Sequence, residues 1–174
     1  MASAPESLTL ARHRDRSGRR RDPWVRRVGF ALLPVIPVLA LLNFFGQRPQ
    51  TSSAAVGDAR LQVYAPSTVR GGLVYTARFR VDALHDIKGA VLILAPGWAD
   101  QYTFNGVAPQ PVSEASANGR LSFTLGHIPQ GEHFTLFVSL QVNPTNVGHH
   151  GQTVWLYDDK KELAVIHREI TIWP

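Results

Sequence analysis

The side chains in this sequence best suited to chemistry are its histidines. His127 and His133 stand six residues apart in FTLGHIPQGEHFTLFV (123–138), around Pro129 and two glycines. Two imidazoles at a chain reversal can ligate zinc. His-based sites, however, need a third protein ligand and supporting hydrogen bonds, and Glu132 is the one nearby candidate. The pair therefore reads as polar residues flanking a tight turn. Adjacent residues on a strand point to opposite faces, so His149-His150 could chelate together only in an irregular loop; they read as a loop tip. His85 beside Asp86 reads as a turn, and His167 in AVIHREI as a surface residue of the last strand. Asp158-Asp159 lie next to Lys160-Lys161 and lack the alternating oxygen ligands of a calcium loop. There is no cysteine, which excludes disulfides, thiolate nucleophiles and iron–sulfur clusters. The spacings of a nucleophile elbow, a P-loop, a dinucleotide fingerprint and a zinc-protease helix are also missing. No catalytic residue, metal or cofactor is expected.

What remains is surface. Trp98 follows Pro96-Gly97 at a predicted strand end, while Phe137 and Trp155 fall out of phase with the apolar faces of their strands. Arg78 and Arg80 lie on the polar face of another strand. Aromatic and arginine side chains concentrate at binding sites, so these five form the candidate interaction surface.

The elements that carry them read as strands. In LVYTARFRVDAL, Leu73, Tyr75, Ala77, Phe79, Val81 and Ala83 point one way, and Val74, Thr76, Arg78, Arg80 and Asp82 the other. Period two over a dozen residues marks a strand with one buried face. RLSFTLG and HFTLFVSLQV alternate likewise, with Phe123, Phe134, Leu136 and Val138 inward. GAVLILA suits a central strand, and TVWLYDDKKELAVI a hairpin turning at Asp158–Lys161. Gly-Gly, Pro-Gly and Asn-Gly pairs fall between these runs. About seven to nine short strands without an amphipathic helix predict an all-β antiparallel sandwich of Ig-like size over 60–174.

Charge and hydropathy divide the rest. Residues 1–27 hold eight arginines against Glu6, Asp15 and Asp22, whereas from Gln47 onward ten basic residues face ten acidic ones. The folded part is thus neutral, which argues against a nucleic-acid partner. Val28–Gln47 contains no ionisable residue, and 20 helical residues reach roughly 30 Å, the thickness of a hydrocarbon core. Arg19, Arg20, Arg21, Arg26 and Arg27 crowd one flank, which predicts a cytoplasmic N-terminus and a single-pass plasma-membrane anchor with the C-terminal part outside. Trp24 and Phe44–Phe45 suit the two interfaces. Pro34 and Pro37 predict a kink that a bilayer tolerates. The alternative is a signal peptide cut after Ser53-Ala54-Ala55. Residues 48–59, small and polar, read as a flexible linker.

Two stretches carry a resemblance. Ala65–Thr76, A-P-x-x-V-x-G-G-x-x-Y-T, and Gly119–Gly131, G-x-L-x-F-x-L-G-x-I-x-x-G, resemble the Ig-like "conserved repeat" domains of bacterial surface proteins. There the second stretch is two strands joined by a tight turn. The layout as a whole, with NPTNVGHHGQ and the following YDD, is similar to single-pass membrane proteins of actinobacteria. The resemblance implies a fold and supplies no catalytic residues. The expected role is a non-enzymatic, membrane-anchored binding or accessory module for another envelope protein, one that is itself polytopic. Its arginine arm would lie on anionic lipid headgroups. A sensor of a cell-wall or solute molecule and a secreted domain are the alternatives.

Overall fold

The computed structural model describes residues 22–42, 46–100 and 102–174. Among them are twelve strands, more than the alternation alone predicts: β1 (Arg48–Val56), β2 (Ala59–Arg70), β3 (Val74–Ala83), β4 (Ile87–Leu94), β5 (Tyr102–Ala108), β6 (Ser113–Ala117), β7 (Arg120–Ile128), β8 (His133–Val142), β9 (Gly148–Gly151), β10 (Val154–Asp158), β11 (Lys161–Ile166) and β12 (Glu169–Trp173). They form two sheets. One runs β5-β8-β3-β2-β12-β9 with β1 also on β2, and the other runs β11-β10-β4-β7-β6. The chain is an all-β sandwich. Every pairing is antiparallel except β12 with β2, where Thr171 to Trp173 run alongside Thr68 to Arg70.

The alternating faces fold as their chemistry requires. Tyr75, Ala77, Phe79 and Val81 of β3 meet Leu136, Val138 and Leu140 of β8 in the core, facing Leu92, Leu94, Phe123 and Leu156 of the other sheet. Burying each such side chain contributes about 1.5–3 kcal/mol. Phe134 is only partly buried, and Leu73, expected inward, precedes β3 and is 42% exposed. β10 and β11 form the predicted hairpin, with Asp159 at φ 51° in its two-residue turn.

One expectation is overturned outright. Residues 48–59 are not a flexible linker; most of them form β1, which pairs with β2 from Arg48↔Thr68 to Val56↔Ala59. Its TSSAAV stretch carries no hydrophobic alternation, because eight of its nine positions lie outside the core cluster and only Ala54 packs against it. Backbone pairing, not side-chain burial, holds it.

At the other end, α1 (Asp22–Leu32) and α2 (Val35–Leu41) form a compact unit apart from the sandwich. Trp24–Leu41 is apolar and long enough to cross a membrane or to act as a signal sequence. The helices meet at Pro34, which has no N–H to donate and so interrupts the ladder where the kink is expected. Helix ends by Leu41, short of the predicted Gln47. Arg19, Arg20, Arg21, Phe44 and Phe45 lie outside the described residues.

Candidate functional site

Strand β3 turns Arg78 and Arg80 to the outside of the seven-stranded sheet because Ala77, Phe79 and Val81 take the core side. Register then sets their neighbours. Arg78 lies opposite Phe137 of β8 on one side and Tyr64 of β2 on the other. Its guanidinium carbon sits 5.1 Å from the Tyr64 ring centroid, within cation–π range. Tyr64 is 38% and Phe137 43% exposed. Arg80, one row along, is occupied differently: its Nε donates to Asp82 Oδ1 at 2.7 Å. The result is a three-strand row of aromatic, cation and aromatic on an open sheet face. Tyr64 was not among the expected residues. Its signal was present, since Leu61, Val63 and Ala65 alternate inward and leave Tyr64 outward.

The other two expected surface residues are elsewhere. Trp98 is fully buried, not exposed. Pro96 starts a single helical turn, α3 (Pro96–Ala99), which rolls the indole back into the core against Phe79, with ring centroids 5.3 Å apart. Gly97 allows this, because a Cβ there would collide with the Gly151 carbonyl oxygen. Trp155 is half-buried on the outer face of the five-stranded sheet, under the guanidinium of Arg120 at 5.0 Å. The five expected residues therefore do not form one patch; Arg78, Arg80 and Phe137 share a face, and Trp98 and Trp155 do not. Of the basic flank, Arg26 and Arg27 are described and exposed.

The histidines separate. His127 ends up on β7 in one sheet and His133 on β8 in the other, so Ile128–Glu132 crosses between sheets instead of closing a hairpin. His127 Nε2 lies 2.7 Å from Asp86 Oδ1, while His133 pairs across the ladder with Asp82. His149 and His150 belong to strand β9, not a loop tip, and His149 Nδ1 lies 2.9 Å from Thr171 Oγ1. Among the described residues no three His, Asp or Glu converge as a metal site. Asp158, in its turn, is a fastener: Oδ1 accepts the Gly89 N–H at 2.8 Å, and the Asp159 N–H donates to the Gly89 carbonyl.

A second polar constellation lies inside the sandwich. Gln152, fully buried, donates through Nε2 to the Tyr102 hydroxyl at 3.1 Å. Tyr102 packs edge-on against Tyr75 with centroids 5.8 Å apart. Burial raises the pKa of both phenols and lowers that of the nearby Arg168 guanidinium. Sequence pattern does not reveal this group, since its members come from four segments between β3 and β12.

No family model matches the chain, and no curated protein matches it. Solved structures with a similar arrangement include CaCohA2 from Clostridium acetobutylicum, at 14% identity over 73% of this chain and 92% of that one, with a TM-score of 0.45. The human F-spondin reeler domain is similar at 12% identity over 71% and 93%, with a TM-score of 0.44. AvmM, which catalyses macrocyclization in alchivemycin A biosynthesis, is similar at 10% identity over 71% and 89%, also at 0.44. At such identities and scores, none of the three assigns a role to this chain.

Proposed function

We propose that this protein is a membrane-tethered, non-enzymatic binding module whose β-sandwich lies outside the plasma membrane and docks on a polytopic envelope protein. The observation that carries the reading is the row Tyr64–Arg78–Phe137, in which two exposed aromatic rings flank a guanidinium on an open sheet face. Tyr and Arg anchors of this kind dominate binding energy at protein interfaces. The tether is supported by the apolar span Trp24–Leu41 and the arginine-rich residues before it. Near a bilayer each of those arginines adds about 1 kcal/mol of attraction to anionic headgroups. Retention of the anchor is favoured by β1: cleavage after Ala55 would remove nearly all of a strand that is hydrogen-bonded along β2.

The test is a crosslinked pull-down of tagged chain from native membranes, run in parallel with Arg78→Glu and Phe137→Ala. A specific partner retained by the wild type and lost from both variants supports the reading. A partner captured equally by all three would move the docking site off this face.

A further inference from the structure

The Tyr64–Arg78–Phe137 row belongs to a larger outer face whose charge is one-sided. Side chains directly opposite across a ladder stand together on one face. Register therefore adds two rows beside the first: Gln62, Arg80 and Thr135, then Arg60, Asp82 and His133. These nine positions hold three arginines and one carboxylate. Over residues 47–174, by contrast, ten basic residues balance ten acidic ones. The one carboxylate is engaged, since Asp82 Oδ1 accepts from Arg80 Nε. Arg60 and Arg78 are exposed, and among the described residues neither forms an ion pair. The stretch of β1 beside these rows, Thr51 to Ala55, carries no charge. The domain is neutral as a whole, so the surplus comes from placement, and the packing of the sandwich does not call for it.

Arg78 is the best placed of the cations. Its guanidinium lies against the Tyr64 ring and makes no hydrogen bond among the described residues, so its donors face outward unspent. A guanidinium fork matches a carboxylate in a bidentate contact. The Tyr64 and Phe137 rings beside it offer apolar surface to a neighbouring side chain. Arg60 precedes Tyr64 by four residues along β2, a rise of roughly 13 Å at ~3.3 Å per residue. We propose that this face receives an extended acidic segment of the partner, with one carboxylate on Arg78 and a second, four residues along, on Arg60. Complementary charge of this kind steers encounter and fixes register at an interface. The inference rests on the reading of this row as the docking face and names the chemistry of what docks there. An anionic bilayer is the weaker match, because two cations attract headgroups only slightly and a lipid surface brings no fixed spacing to meet theirs.

The experiment follows the fluorescence anisotropy of a labelled, end-blocked peptide, Ser-Glu-Val-Thr-Val-Glu-Ser, titrated with the full chain in mild non-ionic detergent at low ionic strength. The same peptide with Gln in place of both Glu is the neutral comparison. The expected result is saturable binding of the acidic peptide and none of the neutral one. Arg78→Gln and Arg60→Gln should each weaken that binding about three- to fivefold, the scale of an exposed charged contact. Arg120→Gln makes the same charge change on the other sheet and should leave binding unaltered; it also controls for capture of the peptide by the arginine-rich N-terminal residues. No saturable binding, equal binding of the neutral peptide, unchanged binding in both Arg78→Gln and Arg60→Gln, or an equal loss in Arg120→Gln overturns the proposal. Complete release of the peptide when phosphatidylglycerol is mixed into the micelles also overturns it and assigns the face to lipid headgroups. If the acidic peptide fails while the pull-down partner is still lost from Arg78→Glu and Phe137→Ala, the row docks a protein and only the acidic character of its partner is refuted.

Discussion

The Trp98 indole meets Phe79 edge-on, at 62° between ring planes, in the middle of the sandwich. This contact joins α3 to β3, and through β3 to the sheet that carries the Tyr64–Arg78–Phe137 row. Truncating a buried aromatic typically costs about 3–5 kcal/mol, against a total stability of roughly 5–15. Phe79→Ala should therefore bring residues 46–174 close to unfolding in urea melts. Thr76→Ala, on the exposed face of the same strand, should stay within about 0.5 kcal/mol. Similar losses from both would contradict the assignment of faces.

Glycine contacts give a sharper contrast. A Cβ at Gly97 meets the Gly151 carbonyl, whereas one at Gly106 meets open space. Gly97→Ala should destabilise by about 1–3 kcal/mol through forced backbone movement. Gly106→Ala should be nearly neutral, and chemical denaturation of the two variants decides the matter.

Much of this architecture is legible in the sequence because hydrophobic alternation and burial coincide in β3, β7, β8 and the β10–β11 hairpin. Where a strand adds almost nothing to the core, as in β1 and in the wholly exposed β6, Ser and Ala leave no periodic trace. The surface was legible in part. Period two placed Arg78 and Phe137 outside on their own strands, but only cross-strand register shows that they are neighbours with Tyr64. Trp98 misled because Pro96-Gly97 reads as a strand-ending turn, while a single helical turn there redirects the indole inward. The short Pro-Gly connection between His127 and His133 reads as a tight turn, and alternation alone does not show that it crosses between the sheets.

The Asp58–Lys161 ion pair ties the β1–β2 turn to β11. Lys161, by its hydrogen bond and then its charge, holds the Asp58 carboxyl below its ordinary 3.8, and the same contact raises Lys161 above 10.5. A depressed acid stabilises above its unfolded pKa and loses that contribution as pH falls through the folded value. A raised base contributes fully below its unfolded pKa and loses that as pH rises through the folded value. The stability gap between wild type and Lys161→Met should thus be widest between about pH 4 and 10 and close at both extremes. A gap unchanged at pH 2.5 would assign the effect to packing.

His127 and His133 lie on separate sheets, and among the described residues no third ligand converges with them. Replacing both by Ala should change stability by less than about 1 kcal/mol, since His127 with Asp86 is an exposed pair. Added zinc should leave the melting temperature of wild type and double variant alike. A zinc-dependent rise confined to the wild type would reverse this reading.

Protease added to intact spheroplasts should remove a C-terminal tag and spare an N-terminal one if the apolar span is a retained anchor. A soluble species beginning near Val56 would instead identify that span as a signal sequence, and it would carry an unpaired β2 edge.

Strand β12 lies inside its sheet, between β2 and β9, and is built from the last residues of the chain. Its partner β2 precedes it by about a hundred residues, a separation also spanned by the Arg168 bonds to Ala65 and Pro66. Contacts of such long sequence separation form late and slowly. Until Glu169–Trp173 is in place, β9 has no strand beside it, and Val69 and Arg70 of β2 have no partner strand. Removing Glu169–Trp173 would take only Ile170 and Ile172 from the core, yet it would detach β9 from the larger sheet.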